Sequence, residues 1–168
     1  MKHGLAIIFN ALRFLTLACA CAAMPALADD YGDVTQLLRS GKLVQAQASA
    51  DAYLAAKPRD PQMRFLKAVI ESSAGRTTQA IDTLIQLTQD YPELAEPYNN
   101  LAVLYAGQGQ LDKARAALEM AIRANPDYAI AHENLGDVYA RLANQAHSKA
   151  LQIDAGKASE PKPAASQR

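Results

Sequence analysis

The chain has 168 residues, of which 50% are hydrophobic and 6% aromatic, and its formal net charge is zero. This length fits a single domain, and a hydrophobic composition with few aromatic residues is typical of Ala-rich helical proteins. Without residues 1–28, which carry Lys2 and Arg13, the chain has 15 basic and 17 acidic residues. A charge of about −2 without a basic cluster argues against nucleic acid as the main partner.

Residues 1–28 have the pattern of a secretory signal peptide. Lys2 provides the positive start, residues 14–18 begin the apolar core, and Ala26-Leu27-Ala28 forms an A-x-A cleavage site. Arg13 interrupts the apolar run, and a charge at this place makes a retained membrane span costly. We therefore expect cleavage after Ala28 and a periplasmic mature chain, with release outside the cell as the alternative.

Both cysteines, Cys19 and Cys21, lie in this leader. Cleavage would leave the mature chain without a thiol, so its stability would come from helix packing alone. Lipid attachment at Cys19 or Cys21 is the alternative to cleavage after Ala28, but neither cysteine has the leucine three residues earlier that lipoproteins usually show.

From residue 30 onward, three residue types return at an interval of 34. They are Gly41, Gly75 and Gly109; Ala46, Ala80 and Ala114; and Pro58, Pro92 and Pro126. In a repeated helix hairpin, the glycine permits the turn, the alanine lets the paired helices approach, and the proline ends the second helix. We predict repeats at about 29–58, 59–92, 93–126 and 127–154, the last of them truncated.

The third repeat has the clearest pattern, with apolar residues at i, i+3, i+4 and i+7 in both of its predicted helices. Its signature residues are Tyr98, Leu101, Ala102, Tyr105, Ala114, Leu118, Ala121 and Pro126. All eight resemble the signature of the tetratricopeptide repeat (TPR) family, and the resemblance covers roughly Asp30 to Asp154. It implies an all-α solenoid of about three helix hairpins with a long C-terminal capping helix.

The first repeat departs from that signature, because Asp30 and Asp33 stand where apolar residues are expected. Its first helix is therefore expected to be an N-terminal cap with a solvated outer side. The second helix is predicted from Leu43 to Ala56, before Pro58.

The second repeat is predicted to begin with Asp60 as N-cap and Pro61 at the first helical position. Its first helix does not follow the signature. The strict period turns Arg64, Lys67 and Glu71 inward, whereas the apolar stripe consists of Phe65, Leu66, Val69 and Ile70. The sequence thus predicts a helix that is rotated, or shifted by one or two residues, relative to the family register.

The fourth repeat opens on the family pattern with His132, Leu135, Gly136 and Tyr139. Ala143 then replaces the turn glycine, and apolar positions continue, so one helix of about 25 residues is expected to close the solenoid. Gly156 is the predicted end of this helix, and residues 155–168 are expected to form a disordered tail.

We find no set of residues arranged for catalysis, a cofactor or a metal ion, and we expect none of these. His132 is predicted to be a packed helix residue and His147 a solvated one. Residues 107–109 lack the strand, the lysine and the Ser/Thr of a phosphate-binding loop, so they are interpreted as a turn.

The resemblance implies that the concave side, lined by the first helices, binds a peptide or protein segment. The family contact positions correspond to Glu96, Asn99, Val103, Ala106 and Gly107, and to Ile130, Glu133, Asp137, Ala140 and Arg141, with Asn100 and Asn134 adjacent. An asparagine amide can bind peptide backbone, or it can bond to a neighbouring helix. Glu133 and Asp137 make one end of this surface acidic. The set of lysine and arginine residues with which some TPR domains bind a C-terminal carboxylate is missing, so we expect a neutral or basic peptide.

We therefore expect a monomeric, non-enzymatic scaffold or adaptor in envelope assembly or maintenance, with a protein or peptide partner and no membrane span after leader cleavage. Two alternatives remain. The chain could be a subunit of a larger envelope complex, docked through its convex face or last helix. It could also be an accessory module of a cell-wall-processing enzyme.

Overall fold

The computed structural model describes the backbone of residues 30–159 and the side chains of residues 30–154. This part of the chain forms seven α-helices and no strand, which confirms the all-α prediction. The helices are α1 Asp30–Arg39, α2 Leu43–Ala56, α3 Pro61–Ser73, α4 Thr77–Asp90, α5 Ala95–Gly107, α6 Leu111–Ala124 and α7 Ala129–Ser159. The predicted leader and residues 160–168 lie outside the described residues.

The helix bounds repeat with the period of the sequence. Helices α2, α4 and α6 each have 14 residues and start 34 apart, at Leu43, Thr77 and Leu111. Helices α3 and α5 each have 13 residues and also start 34 apart, at Pro61 and Ala95. The predicted bounds of α2 are confirmed.

A glycine in the left-handed region closes each hairpin turn. Gly41, Gly75 and Gly109 have φ values of 70°, 75° and 74°. The Gly75 N–H donates to the Ser72 carbonyl at 3.0 Å, and the Arg76 N–H donates to the Glu71 carbonyl at 2.9 Å. These two bonds form a Schellman motif at the end of α3. A residue with a Cβ would be strained at the left-handed position that Gly75 occupies.

The helices pack as a solenoid rather than around a single core. Each helix contacts the next one along the chain, and α1 also contacts α3, as α5 contacts α7. One apolar cluster joins the first repeat to Met63 and Ile70 of α3. A second cluster begins with Ala68 and Leu84 and continues through α5, α6 and α7. Helix α3 therefore contributes to both clusters.

The register of α3 follows the strict period, and the predicted rotation or shift is wrong. Ala68 and Glu71, at the positions of Ala102 and Tyr105 in the next repeat, are 1% and 5% exposed. The Glu71 carboxylate accepts a hydrogen bond of 2.9 Å from the Thr83 hydroxyl on the paired helix α4. A buried polar group is tolerated where a partner satisfies it, and the apolar pattern of one helix does not reveal that partner.

Asp60 caps α3, as predicted, and also joins the first repeat to the second. Its carboxylate accepts from the Met63 backbone N–H at 2.8 Å and from the Tyr31 hydroxyl at 2.6 Å. The Tyr53 hydroxyl donates, at 3.3 Å, to the carboxylate oxygen that also accepts from Tyr31. Partial burial raises the pKa of Asp60, but the donors outweigh that effect, so its pKa is lowered from 3.8.

Helix α7 runs without a turn for 31 residues, which confirms the single long helix. It continues through Gly156 to Ser159, so the predicted end at Gly156 is wrong, and residues 155–159 are helical instead of starting the tail. One glycine in a helix costs only about 1 kcal/mol relative to alanine, too little to stop it. None of the helices in residues 30–159, α7 included, has the length and apolar character needed to cross a bilayer.

His132 is exposed, and the prediction of a packed residue is wrong. Its Nε2 lies 2.9 Å from the Pro126 carbonyl oxygen. In the third repeat the equivalent Tyr98 is buried. The fourth repeat has no second helix in the described residues, so nothing covers this side of α7 there.

Candidate functional site

A groove lies between α5 and α7, with a volume of about 450 Å³. Its floor is formed by the buried residues Ala102, Leu118 and Val138. Its walls come from both helices and comprise Val103, Ala106, Gly107, Asn134, Asp137, Ala140 and Arg141. Three of these seven wall residues are alanine or glycine, so part of each wall carries little side chain. We refer to this site as the α5–α7 groove.

Two hydrogen bonds fix the helices that form the groove. The Asn134 amide donates to the Asn99 side-chain oxygen over 2.8 Å. The Arg141 guanidinium donates to the Ala106 carbonyl over 3.0 Å, in the last turn of α5. The same carbonyl also accepts from the Gly109 backbone N–H at 3.1 Å, and a cation at a helix C-terminus interacts favourably with the helix dipole. These two bonds tie α5 and α7 to each other along the groove.

The asparagines differ in their placement. Asn99 is 6% exposed, so the structure places it in the helix interface, the alternative that the sequence left open. Asn134 is partly exposed and lines the groove. Since its amide N–H donates to Asn99, its carbonyl oxygen is the part that could accept from a ligand. The Asn100 amide donates to the Glu96 backbone carbonyl at 2.9 Å, within α5.

Val103 connects the groove to a second hollow. It is 52% exposed and also lines a smaller cavity of about 80 Å³ between α3 and α5. Asn100 and Leu104 border that cavity on the α5 side. Open space therefore lies on both sides of Val103, towards α3 and towards α7.

The remaining predicted residues lie nearby or outside the groove. Glu96 borders a separate hollow of about 280 Å³ with Phe65 at the N-terminal ends of α3 and α5. Ile130 and Glu133 are exposed on α7 but do not line the groove. Burial raises the pKa of Tyr128, and the nearby Glu96 carboxylate adds to that effect. Among the described residues, no three His, Cys, Asp or Glu side chains come together as metal ligands would.

Family models match most of the helical region. One model, described as a tetratricopeptide repeat, matches residues 34–95, and a second, described as a TPR repeat, matches residues 106–142. The chain belongs to the tetratricopeptide repeat family. A curated relative, the chloroplastic tetratricopeptide repeat domain-containing protein PYG7 of Arabidopsis thaliana, is 40% identical over 70 residues. That match covers 39% of this chain and only 23% of the relative.

Solved structures share the TPR fold. A thermophilic TPR protein of Thermus thermophilus matches with a TM-score of 0.62 and 26% identity, over 72% of this chain and 68% of that one. The type III secretion chaperone SycD of Yersinia enterocolitica, in complex with a peptide of the translocator YopD, matches with a TM-score of 0.61 and 14% identity. That alignment covers 67% of this chain and 91% of SycD.

The TPR fold indicates a scaffold for protein–protein interaction, and TPR proteins are generally non-catalytic adaptors. Sequence reasoning named Val103, Asn134, Asp137 and Arg141, which line the groove together. It missed the floor residues Leu118 and Val138, which come from α6 and from the buried side of α7. Only the packing of three helices brings those residues together.

Proposed function

We propose that this TPR protein is a non-enzymatic scaffold that holds a segment of a partner protein in the α5–α7 groove. The observation that supports the proposal most is the groove itself, with an apolar floor and polar groups along one wall. Apolar ligand side chains would be desolvated on Ala102, Leu118 and Val138, which is the main favourable term in such binding. The helices are already ordered, so little conformational entropy would be lost at this surface.

The polar wall favours a neutral or basic segment. The Asp137 carboxylate is an acceptor for a ligand lysine, arginine or backbone N–H, and the Asn134 carbonyl is a second acceptor. Arg141 donates to the end of α5, so its charge is partly used within the protein. An acidic ligand would meet Asp137 without a free basic cluster opposite it. The SycD complex supports the class of ligand, since that TPR-like chaperone is solved with a peptide.

The cellular setting is also a proposal. The leader pattern of residues 1–28 supports export to the periplasm, where the partner would be a protein of envelope assembly or maintenance. Fractionation of cells that express the full chain tests this point. A shortened chain in the periplasmic fraction is expected, and a full-length chain in the cytoplasm would contradict it.

Selection of peptides from a random displayed library on the purified chain tests the groove. We expect enrichment of peptides that combine apolar residues with lysine or arginine. Val103→Arg should abolish their binding, because it replaces an exposed apolar side chain of the α5 wall by a long cation that repels a basic ligand. Met120→Arg is the matched control, since Met120 is an exposed apolar residue on α6, outside the groove. Equal binding by both variants, or no enrichment, would refute the proposal.

A further inference from the structure

One side of α7 has no partner helix in the described residues. In the second and third repeats, the corresponding side of the first helix carries Ala68 and Ala102, both 1% exposed under the second helix of the repeat. In the fourth repeat the equivalent Gly136 is exposed, and a Cβ built on it meets nothing within 4 Å. Tyr139, the next residue on this side, is 49% exposed. The place of a second helix is therefore unfilled.

The exposed side continues along the whole helix. At alternating steps of four and three residues it consists of His132, Gly136, Tyr139, Ala143, Ala146, Ala150 and Ile153, and all seven are exposed. We call this set the α7 stripe. A spacing of four and three is the repeat of a two-helix coiled coil. The stripe shares no residue with the α5–α7 groove.

The α7 stripe is complementary to itself in size when two copies are placed antiparallel. With Ala143 opposite Ala146 of the other copy, Tyr139 lies opposite Ala150 and Gly136 lies opposite Ile153. Each outer layer then pairs a large side chain with a small one, which is how facing positions interdigitate without voids. Each layer occurs twice, as a two-fold axis requires. A parallel pairing would instead place Tyr139 against Tyr139.

The C-terminal half of α7 is also long enough to serve as the second helix of a repeat. Residues 143–159 are helical and number 17, whereas the second helices α2, α4 and α6 have 14 residues each. Ala143 stands where the other repeats have a left-handed glycine, and residues 143–159 continue α7 instead of folding back beside it. A second copy can supply that half without any turn.

The geometry points to α7 as a dimerisation helix: the α7 stripes of two copies pair antiparallel, and each C-terminal half acts as the second helix of the other copy's fourth repeat. This would replace the monomer expected from the sequence. From His132 to Ile153 the stripe is about 32 Å long. With a width of about 10 Å it would bury about 600 Å² in total, the size of a weak and reversible interface.

Sedimentation equilibrium of the purified full chain, from about 1 to 500 µM, tests this inference. We expect a concentration-dependent mass that approaches two chains. Gly136→Gln should weaken the dimer at least about tenfold, because the new side chain occupies the space of Ile153 from the other copy. The same variant should raise the unfolding temperature of the single chain, since glutamine favours a helix over glycine and the site is open.

Ser148→Gln is the matched control, because Ser148 is exposed on α7 outside the stripe and should leave the dimer unchanged. Ile153→Gln is a second test of the same layer and should also favour the single chain. Circular dichroism checks that all variants stay helical. A single-chain mass of the unmodified protein over the whole range would overturn the proposal, and so would undiminished dimerisation of both layer variants.

Discussion

The turn glycines allow a test with opposite signs at two neighbouring positions. Gly109 has a φ of 74° and closes the hairpin between α5 and α6, whereas Gly107 is the last residue of helix α5. A Cβ built on either glycine meets nothing within 4 Å. Substitution by alanine therefore changes backbone preference at both positions without a steric clash.

Gly109→Ala should destabilise the fold. An L-residue in the left-handed region costs roughly 1–2 kcal/mol. Alanine also lowers the conformational entropy of the unfolded chain, which offsets only part of this cost. We expect a net loss of about 1 kcal/mol in the free energy of unfolding. Gly107→Ala should instead stabilise by up to about 1 kcal/mol, because alanine is the better helix former.

Urea unfolding followed by circular dichroism measures both changes. The midpoint should move down for Gly109→Ala and up for Gly107→Ala, with little change in slope. If both variants shift in the same direction, or if Gly109→Ala is neutral, the left-handed turn does not control the hairpin as argued.

Three further predictions concern polar contacts between elements of the solenoid. Asp60→Asn should cost about 1 kcal/mol at pH 7, because charge-assisted bonds become neutral ones. Since the folded pKa of Asp60 is lowered from 3.8, this stabilisation is present above about pH 4 and is lost as the pH falls through the folded pKa, so the stabilities of the variant and the parent should approach each other as acid titrations of unfolding pass below the folded pKa. Asn134→Ala should cost about 1–2 kcal/mol because the side-chain oxygen of the buried Asn99 loses its donor, and a double-mutant cycle with Asn99→Ala should give a coupling of about 1 kcal/mol; additive effects would contradict the bond. Thr83→Val should destabilise by about 1–3 kcal/mol because the buried Glu71 loses its donor, and adding Glu71→Leu should recover most of the loss in thermal unfolding, whereas a further loss would refute the pairing.

Much of the fold follows from spacing in the sequence. The period of 34 predicted the hairpins, the Leu43–Ala56 helix and the turn glycines, because these features depend on residues close together along the chain. Asp60 was recognised as a cap for the same reason. The absence of a glycine at Ala143 correctly predicted the uninterrupted α7.

The errors arose where a contact from another helix decides the outcome. The α3 register was misjudged because Glu71 is buried through a bond from α4, which no pattern within α3 reveals. The prediction that His132 is packed is wrong because the family pattern assumes a second helix, which the fourth repeat does not have within residues 30–159. The groove residues on α5 and α7 were named by family position, but the floor depended on three-helix packing. Ligand binding by these residues stays a prediction.

Site-specific photo-crosslinking tests the central claim most directly. A photoreactive amino acid at Val103, in the α5–α7 groove, is compared with the same group at Met120 on α6, in cells that express the full chain. We predict that Val103 forms a discrete adduct with one partner protein, that Met120 does not, and that the selected basic peptide competes with the adduct. Equal adducts at both positions, or an adduct that the peptide leaves unchanged, would contradict binding in the groove.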